Sequence, residues 1–298
     1  MYRDFFGLRE LPFELTPNTK FLFQTAQIQE ALCTLVYGLS SGKSLTVLIG
    51  DAGTGKTTLL RAALQSDECR GITCVYLNNP TLTRAEFLQL LARRFGLSDA
   101  AAASKAVLLD ELAAVLEARM ARGERTALVI DEAQSLSDEL LEEVRLLANA
   151  ETETQKMLPV VLAGQPELAD RLDEPHLRQL KQRITLRCAV LPFSLEDTAA
   201  YVAWRIRAAG GESHKVFTRE AVLAVHEHSR GIARTIGVIC DNALLTAYGL
   251  ERRPVDSAVV LEVVQDLELV DPRQASGMSR EEVERIPDLI GKVPESWW

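Results

Sequence analysis

The chain has 298 residues, of which 47% are hydrophobic and 25% are charged, and its formal net charge is -9. That length allows one large or two modest domains with a buried core, and no apolar run approaches the roughly 20 residues that span a bilayer. A cytoplasmic protein is expected, because the N-terminus carries charges within its apolar stretch and lacks the cleavage site of a signal peptide. The negative charge disfavours a large nucleic-acid footprint, and the five cysteines form no C-x-x-C pair of the kind that binds zinc.

Short apolar runs alternate with helical patterns through the first two thirds of the chain. The runs are SLTVLI, GITCVYL, TALVID, LPVVLAG and ITLRCAVL. Thr83 and Glu86 form the pattern of a capping box before one intervening helix, and Ser104 opens another that ends at Gly123. Strands separated by helices predict an α/β fold with a five-stranded parallel sheet flanked by helices.

The strand pattern ends after residue 193, and a different organisation follows. Four helical patterns come next, and they are opened by Ser194, Thr218, Ile232 and Asp256. They predict a smaller, all-helical domain over residues 194–270, after a first domain over residues 1–193.

The last residues differ from both predicted domains in composition. Residues 271–298 contain three prolines and little periodicity, which predicts an extended C-terminal tail. Trp297 and Trp298 end the chain, and two indoles at a chain end either pack back onto the body or anchor a partner. Both roles are open at this point.

The segment GDAGTGKT at residues 50–57 matches the phosphate-loop pattern G-x-x-x-x-G-K followed by Ser or Thr. It follows an apolar run and precedes a helical pattern, which is the context that the pattern requires. Lys56 is expected to reach the β- and γ-phosphates of a nucleotide, and the Thr57 hydroxyl to coordinate Mg²⁺. The residues expected to surround the phosphates are Gly50, Asp51, Ala52, Gly53, Thr54, Gly55, Lys56, Thr57 and Thr58. A glycine-rich turn without a ligand is the alternative.

Two adjacent carboxylates, Asp131 and Glu132, follow the apolar run TALVI and are expected at the carboxyl end of the sheet. Asp131 can hold the Mg²⁺ shell, and Glu132 can act as the base that polarises a water molecule. This pair favours hydrolysis over phosphoryl transfer to a metabolite, and the absence of an N-K-x-D motif disfavours a GTPase. The alternative is that the carboxylates cap the helix that begins near Ser137.

Four further polar residues complete the candidate site. Gln165 directly follows the run LPVVLAG. Its side chain would interact with the γ-phosphate if its strand lies between the strands that carry the first two motifs. Arg178 and Arg183 precede the last strand, where an arginine can meet the nucleotide of a neighbouring subunit and stabilise its transition state in trans. Arg234 opens a helix of the second domain and could point back at the phosphates. For Gln165, the alternative is that it belongs to a turn by which the chain leaves the sheet. For the arginines, the alternative is a solvated surface position.

The order of these motifs resembles that of the AAA+ ATPases. The blocks MYRDFFGLRELPFELTPNTKFLF, GQPEL, LRQLKQRITLR and RGIAR are similar to the ExeA/GspA group of type II secretion ATPases and its MSHA-pilus relatives, over residues 1–268. The resemblance implies an AAA+ core, a helical lid and an opening segment near the adenine. It also implies the following roles: Lys56 and Thr57 bind ATP and Mg²⁺, Asp131 and Glu132 are the Walker B pair, Gln165 is sensor 1, Arg183 is the arginine finger and Arg234 is sensor 2.

The resemblance also implies partners. These are further copies of the chain, in an ATP-dependent hexamer or filament, and proteins of a secretion, pilus or exopolysaccharide system at the inner membrane. The group's longer members continue into a transmembrane helix and a peptidoglycan-binding domain, whereas this chain ends with VPESWW, so direct peptidoglycan contact is not expected. Ala233 stands where proline is expected in the group. The alternative function is an ATP-dependent DNA-binding AAA+ regulator of the transposition type, against which the net charge counts.

Overall fold

A computed structural model describes most of the chain, namely residues 1–14, 22–78, 81–150 and 156–269. The predicted tail over residues 271–298, with Trp297 and Trp298, lies outside the described residues. Contacts divide the chain into two compact units. Of the described residues, the sheet unit contains those within 24–52 and 56–190, and the helical unit contains 1–14, 22–23, 53–55 and 191–269.

The secondary structure consists of five strands and a larger set of helices within the described ranges. The strands are β1 (Leu45–Gly50), β2 (Ile72–Leu77), β3 (Arg125–Ile130), β4 (Val160–Gly164) and β5 (Ile184–Val190). The helices are α1 (Tyr2–Phe5), α2 (Ala26–Ser40), α3 (Lys56–Gln65), α4 (Arg84–Phe95), α5 (Asp99–Ala103), α6 (Lys105–Ala121), α7 (Asp138–Leu147), α8 (Pro166–Leu172), α9 (Arg178–Lys181), α10 (Leu195–Ala208), α11 (Ser213–Val216), α12 (Arg219–Ser229), α13 (Ala233–Gly249) and α14 (Ser257–Asp266). Short 3-10 turns lie at Asp67–Cys69, Ala133–Ser135 and Pro175–Leu177.

The sheet unit contains one parallel sheet with the strand order β2-β3-β4-β1-β5. The five predicted strands are all present. Every residue of β4 is buried, as expected for a central parallel strand whose two faces are covered by helices. The predicted capping box of α4 is confirmed, because Thr83 accepts a hydrogen bond from the backbone of Glu86 and the Glu86 carboxylate accepts one from the backbone of Thr83.

The strand order decides which loops meet. β4 pairs with β1 on one side and with β3 on the other, with Ile49 opposite Gly164 and Ile130 opposite Leu162. All three strands run in the same direction, so the loops that follow β1, β3 and β4 leave from one edge of the sheet. The condition stated for Gln165 is therefore met.

The helical unit contains α1 and α10 to α14. The four predicted helix starts are confirmed, since the N-cap residues of α10, α12, α13 and α14 are Ser194, Thr218, Ile232 and Asp256. Three of them accept a hydrogen bond from the first turn through their side chains, whereas Ile232 has no side chain that could do so. The short helix α11 has too little periodicity to be predicted.

The opening segment packs in the helical unit, although the predicted division assigned it to the first domain. The Phe13 ring meets the Phe217 ring edge to face, with centroids 6.3 Å apart. The buried Arg205 guanidinium donates to the carbonyl oxygens of Pro12 and Glu14. These contacts join residues far apart in sequence, which local patterns do not reveal.

Gly231 connects two parts of the helical unit before α13 begins. Its carbonyl oxygen accepts a hydrogen bond of 2.8 Å from the backbone of Phe193, and its φ is +74°. A Cβ atom at this position would lie 2.0 Å from the Phe193 carbonyl oxygen. Only glycine satisfies both the left-handed backbone and this close approach.

Across the same described ranges, no helix has both the length and the apolar composition that crossing a membrane requires.

Candidate functional site

The phosphate loop joins β1 to α3, as its pattern predicts. Gly53 and Gly55 have φ values of +82° and +106°, which side chains disfavour. Lys56 is the first residue of α3 and is only 4% exposed. Its Nζ donates to the carbonyl oxygens of Gly50 at 2.7 Å and Asp51 at 3.0 Å, so the side chain folds back against the loop.

Burial lowers the pKa of Lys56, while attraction to Glu132, Asp131, Asp51 and Glu167 acts in the opposite direction. Four acidic side chains therefore lie near enough to offset part of the cost of burying the ammonium group. This places the lysine of the first motif beside the carboxylates of the second.

Asp131 is 1% exposed and lies directly after β3. Its Oδ2 accepts hydrogen bonds from the Thr57 hydroxyl and from the Tyr76 hydroxyl, both at 2.7 Å. Its Oδ1 accepts one of 3.0 Å from the backbone of Glu132. Three donors satisfy a carboxylate that would otherwise be costly to bury.

The Thr57 hydroxyl and the Asp131 carboxylate are oxygen ligands within hydrogen-bond distance of each other. Mg²⁺ prefers oxygen ligands and is usually held by one or two carboxylates together with substrate phosphates. The chemistry of the residues present therefore fits the predicted Mg²⁺ site.

Tyr76 was not predicted as a site residue. It lies on β2 opposite Val129 of β3, one residue before the point where Leu77 accepts a hydrogen bond from the backbone of Asp131. Burial, followed by the hydrogen bond to Asp131, raises the pKa of its hydroxyl, which therefore stays protonated as a donor. Its contact depends on β2 pairing with β3, which the sequence patterns did not specify.

Glu132 has a left-handed backbone, with φ of 56° and ψ of 38°, at the start of the turn Ala133–Ser135. Its Oε2 accepts a hydrogen bond of 2.6 Å from Gln134 Nε2 and one of 3.2 Å from Gln165 Nε2. Gln165, predicted from the end of β4, is thus brought to the predicted base. Gln134 was not predicted, although its position two residues after Glu132 in DEAQ was a usable signal.

Arg178 and Arg183 lie elsewhere in the sheet unit. Arg178 is the exposed first residue of α9, and Arg183 directly precedes β5, whose Ile184 pairs with Leu45 at the start of β1. Gly50 lies five residue steps along β1 from Leu45, or about 16 Å at roughly 3.3 Å per residue. Arg183 therefore lies at the amino end of the strands, whereas its own phosphate loop lies at their carboxyl end.

Arg234 is the second residue of α13 and its side chain is exposed. Its backbone N–H donates a hydrogen bond of 3.0 Å to the carbonyl oxygen of Gly53, and both residues belong to the helical unit. A Cβ atom on Gly53 would lie 2.9 Å from Arg234 Cβ, so the tip of the loop and this helix start need glycine to approach so closely. The sensor role of the guanidinium group stays a prediction.

The chain is similar to known proteins that contain an AAA domain. The profile of the AAA domain family matches residues 39–172. General secretion pathway protein A of Aeromonas hydrophila is 43% identical over 248 residues, which cover 83% of this chain and 45% of that protein. This chain therefore spans less than half the length of that relative.

Three kinds of solved structure show the same fold at low sequence identity. Drosophila ORC bound to DNA has a TM-score of 0.66 at 20% identity, covering 95% of this chain and 72% of that one. Cdc6p of Pyrobaculum aerophilum has a TM-score of 0.65 at 18% identity, with coverages of 91% and 73%. The RuvB motor of Thermotoga maritima has a TM-score of 0.56 at 14% identity, with coverages of 94% and 80%.

These likenesses confirm the predicted α/β AAA+ fold, and an AAA domain is a nucleotide-binding domain. The chain is a GspA/ExeA-like AAA-domain protein.

Proposed function

We propose that the chain hydrolyses ATP at an interface between subunits and uses this reaction to drive or organise assembly of a cell-envelope system. The observation that carries the proposal is the meeting of Lys56, Thr57 and Asp131 with the pair Glu132 and Gln165 at one edge of the sheet. A glycine-rich turn without a ligand would not need this set of polar residues around it.

Each side chain has a role that follows from its position. The loop residues 50–58 and Lys56 bind the phosphates, with the N-terminus of α3 adding a favourable field. Thr57 and Asp131 would hold Mg²⁺, which would neutralise charge on the phosphates when bound. Glu132 accepts a proton from the attacking water, and Gln165 orients the groups around the γ-phosphate.

The interface between subunits is proposed because Arg183 lies about 16 Å along the strand direction from its own phosphate loop, at roughly 3.3 Å per residue. An arginine side chain is too short to cover that distance. Arg183, together with Arg178 five residues earlier, is therefore proposed to act on the nucleotide of a neighbouring copy, in a hexamer or a filament.

The envelope role rests on the likeness to General secretion pathway protein A. We infer proteins of a secretion, pilus or exopolysaccharide system as partners, with the chain in the cytoplasm and peripheral at the inner membrane. Because this chain covers only 45% of the length of that relative, the inference concerns the ATPase region that the two proteins share.

The rate of ATP hydrolysis measured against protein concentration tests the proposal. Specific activity of the wild type should rise with concentration, and Lys56→Ala should abolish both binding and hydrolysis. Arg183→Ala should bind ATP normally and lose on the order of 10³-fold in rate, the lower end of arginine-finger effects. Arg187→Ala, which removes an exposed arginine on β5, serves as the matched control and should behave as the wild type.

Flat specific activity together with an active Arg183→Ala variant would contradict hydrolysis at a shared site. The protein would then be a monomeric nucleotide switch.

A further inference from the structure

The side chain of Gln134 makes two hydrogen bonds with different partners. Its Nε2 donates to Glu132 Oε2 at 2.6 Å, and its Oε1 accepts from the backbone N–H of Gln165 at 3.1 Å. The amide thus connects the predicted base to the end of β4. Gln165 Nε2 approaches the same Glu132 oxygen at 3.2 Å, so two amide groups converge on Oε2.

The surroundings fix Gln134 in this position. Arg171 of α8 donates to the carbonyl oxygen of Gln134 at 2.9 Å and to that of Leu136 at 2.6 Å. The Ser135 hydroxyl donates to the Glu132 carbonyl oxygen at 2.7 Å. The segment that carries Glu132 is therefore held by partners from outside it and from within it.

Gly164 supplies the space that the amide occupies. A Cβ atom there would lie 3.0 Å from Gln134 Oε1 and 2.7 Å from Leu168 Cδ2. The end of β4 therefore leaves room for the Gln134 side chain. A surface glutamine that lay near a carboxylate by chance would not need this room.

We propose that Gln134 is a positioning residue for hydrolysis. It holds the Glu132 carboxylate by Oε2 and thereby presents Oε1 to the attacking water. This inference rests on the proposed ATPase function. Among the described residues, Oε1 has no hydrogen-bond donor, so it is the oxygen that can receive a proton.

Gln134 assists the attack of water on the γ-phosphate. The water oxygen forms a bond to the γ-phosphorus, while the bond from that phosphorus to the oxygen bridging the β- and γ-phosphates breaks. The electron pair of the broken bond leaves with ADP. One water proton moves to Glu132 Oε1 and is then released to phosphate or solvent. Gln134 exchanges no proton, and its effect comes from orientation alone.

Two substitutions separate positioning from structural support. Gln134→Ala removes both hydrogen bonds. Gln134→Glu keeps the size of the side chain and an acceptor for the Gln165 N–H, but replaces the donor to Glu132 by a second carboxylate. A residue needed only to connect Glu132's turn to β4 would tolerate Gln134→Glu.

We expect kcat of both variants to fall by up to about 100-fold. A displacement of a reacting group by about 1 Å can lower a rate by this factor. The dissociation constant of a fluorescent ATP analogue should stay within about twofold of wild type, because the hydrogen bonds given for the Gln134 side chain are to Glu132 and Gln165 and not to the phosphate loop. Gln89→Ala, on the exposed face of α4, is the matched control and should leave both quantities unchanged.

Glu132→Gln separates failure of this inference from failure of the proposed function. If Glu132→Gln is inactive while Gln134→Glu hydrolyses ATP as the wild type does, the positioning role is wrong and the ATPase proposal stands. If Glu132→Gln is fully active, Glu132 is not the base and the positioning role fails with it, although ATP hydrolysis itself is then observed. A wild type that hydrolyses no ATP would instead overturn the proposed function. In the double variant Glu132→Gln with Gln134→Glu, which keeps an acceptor for the Gln165 N–H, the second change should lower kcat no further, since its proposed effect on hydrolysis is through the Glu132 carboxylate. If Gln134→Ala does not fold, as judged by its melting temperature, the isosteric Gln134→Glu decides.

Discussion

At the scale of single residues, Asp131 shows how a buried charge is made tolerable. Its carboxylate is 1% exposed and receives donors from three elements: Thr57 of α3, Tyr76 of β2 and the backbone of Glu132. Removing a hydrogen-bond partner from a buried charged group leaves a desolvation cost uncompensated. Tyr76 therefore contributes to stability as well as to the orientation of a proposed Mg²⁺ ligand.

Tyr76→Phe should lower the free energy of unfolding by about 1 to 3 kcal/mol, the cost of leaving a buried polar group without one of its partners. Urea denaturation measures the change. Tyr37→Phe is the matched control, because Tyr37 is 52% exposed, and surface substitutions usually stay within about 0.5 kcal/mol. Equal stability of the two variants would show that the Tyr76 hydroxyl does not support Asp131.

The residues of the site that could be predicted are those fixed by spacing within one segment. Lys56 and Thr57 belong to a contiguous loop pattern, and Asp131 follows its strand directly. Tyr76 and Gln134 were not found, because their roles depend on which strand lies beside β3 and on how one amide is oriented. The pairing and the orientation are properties of the folded chain, although the position of Gln134 in DEAQ pointed to the site.

At the scale of elements, the start of α13 depends on one glycine. Gly231 has a left-handed backbone, and its missing side chain allows the backbone of Phe193 to approach. Ala233, where proline was expected from the resemblance, is the first residue of α13, a position where either residue fits because its N–H has no partner within the helix.

Gly231→Ala should destabilise the protein by at least about 3 kcal/mol, since it combines backbone strain with overlap against a neighbouring backbone. Gly249→Ala provides the contrast. Gly249 ends the same helix, and a Cβ there meets nothing within 4 Å, so this variant should be neutral or more stable by up to about 1 kcal/mol. Thermal unfolding of both variants tests the pair. Similar melting temperatures would mean that the contact with Phe193 can relax.

Local patterns predicted the long elements well. All five strands and the starts of α10, α12, α13 and α14 were visible because alternation, caps and helical periodicity are short-range signals. The strand order and the packing of the opening segment were not, since both depend on contacts between distant residues. Arg205, for example, binds the carbonyl oxygens of Pro12 and Glu14 across almost 200 positions of sequence.

At the scale of the whole molecule, charge separates the proposed envelope ATPase from a DNA-binding regulator. The net charge of -9 opposes contact with a polyanion, whose neutralisation by lysine and arginine supplies most non-specific affinity. The fold itself does not decide, because Drosophila ORC bound to DNA shares it at only 20% identity.

We expect no ATP-dependent gel shift with duplex DNA at physiological salt. The assay compares the wild type with Lys56→Ala, with and without ATP. A shift that needs both ATP and Lys56 would favour the regulator, whereas a shift that persists without them would indicate non-specific charge contacts. The AAA+ fold was predictable at this scale from the order of the motifs, but the partner was not, since no contact with another protein is encoded in a local pattern.

The position of Arg183, at the edge of the sheet opposite to its own phosphate loop, has a consequence for counting active sites. If each copy completes its neighbour's site, a closed ring of n copies has n finished sites, whereas an open filament has only n − 1, because the copy at one end has no donor. Turnover per copy would then be constant for rings and would climb towards a plateau as filaments lengthen. The shape of that curve would distinguish the two assemblies without an image of either.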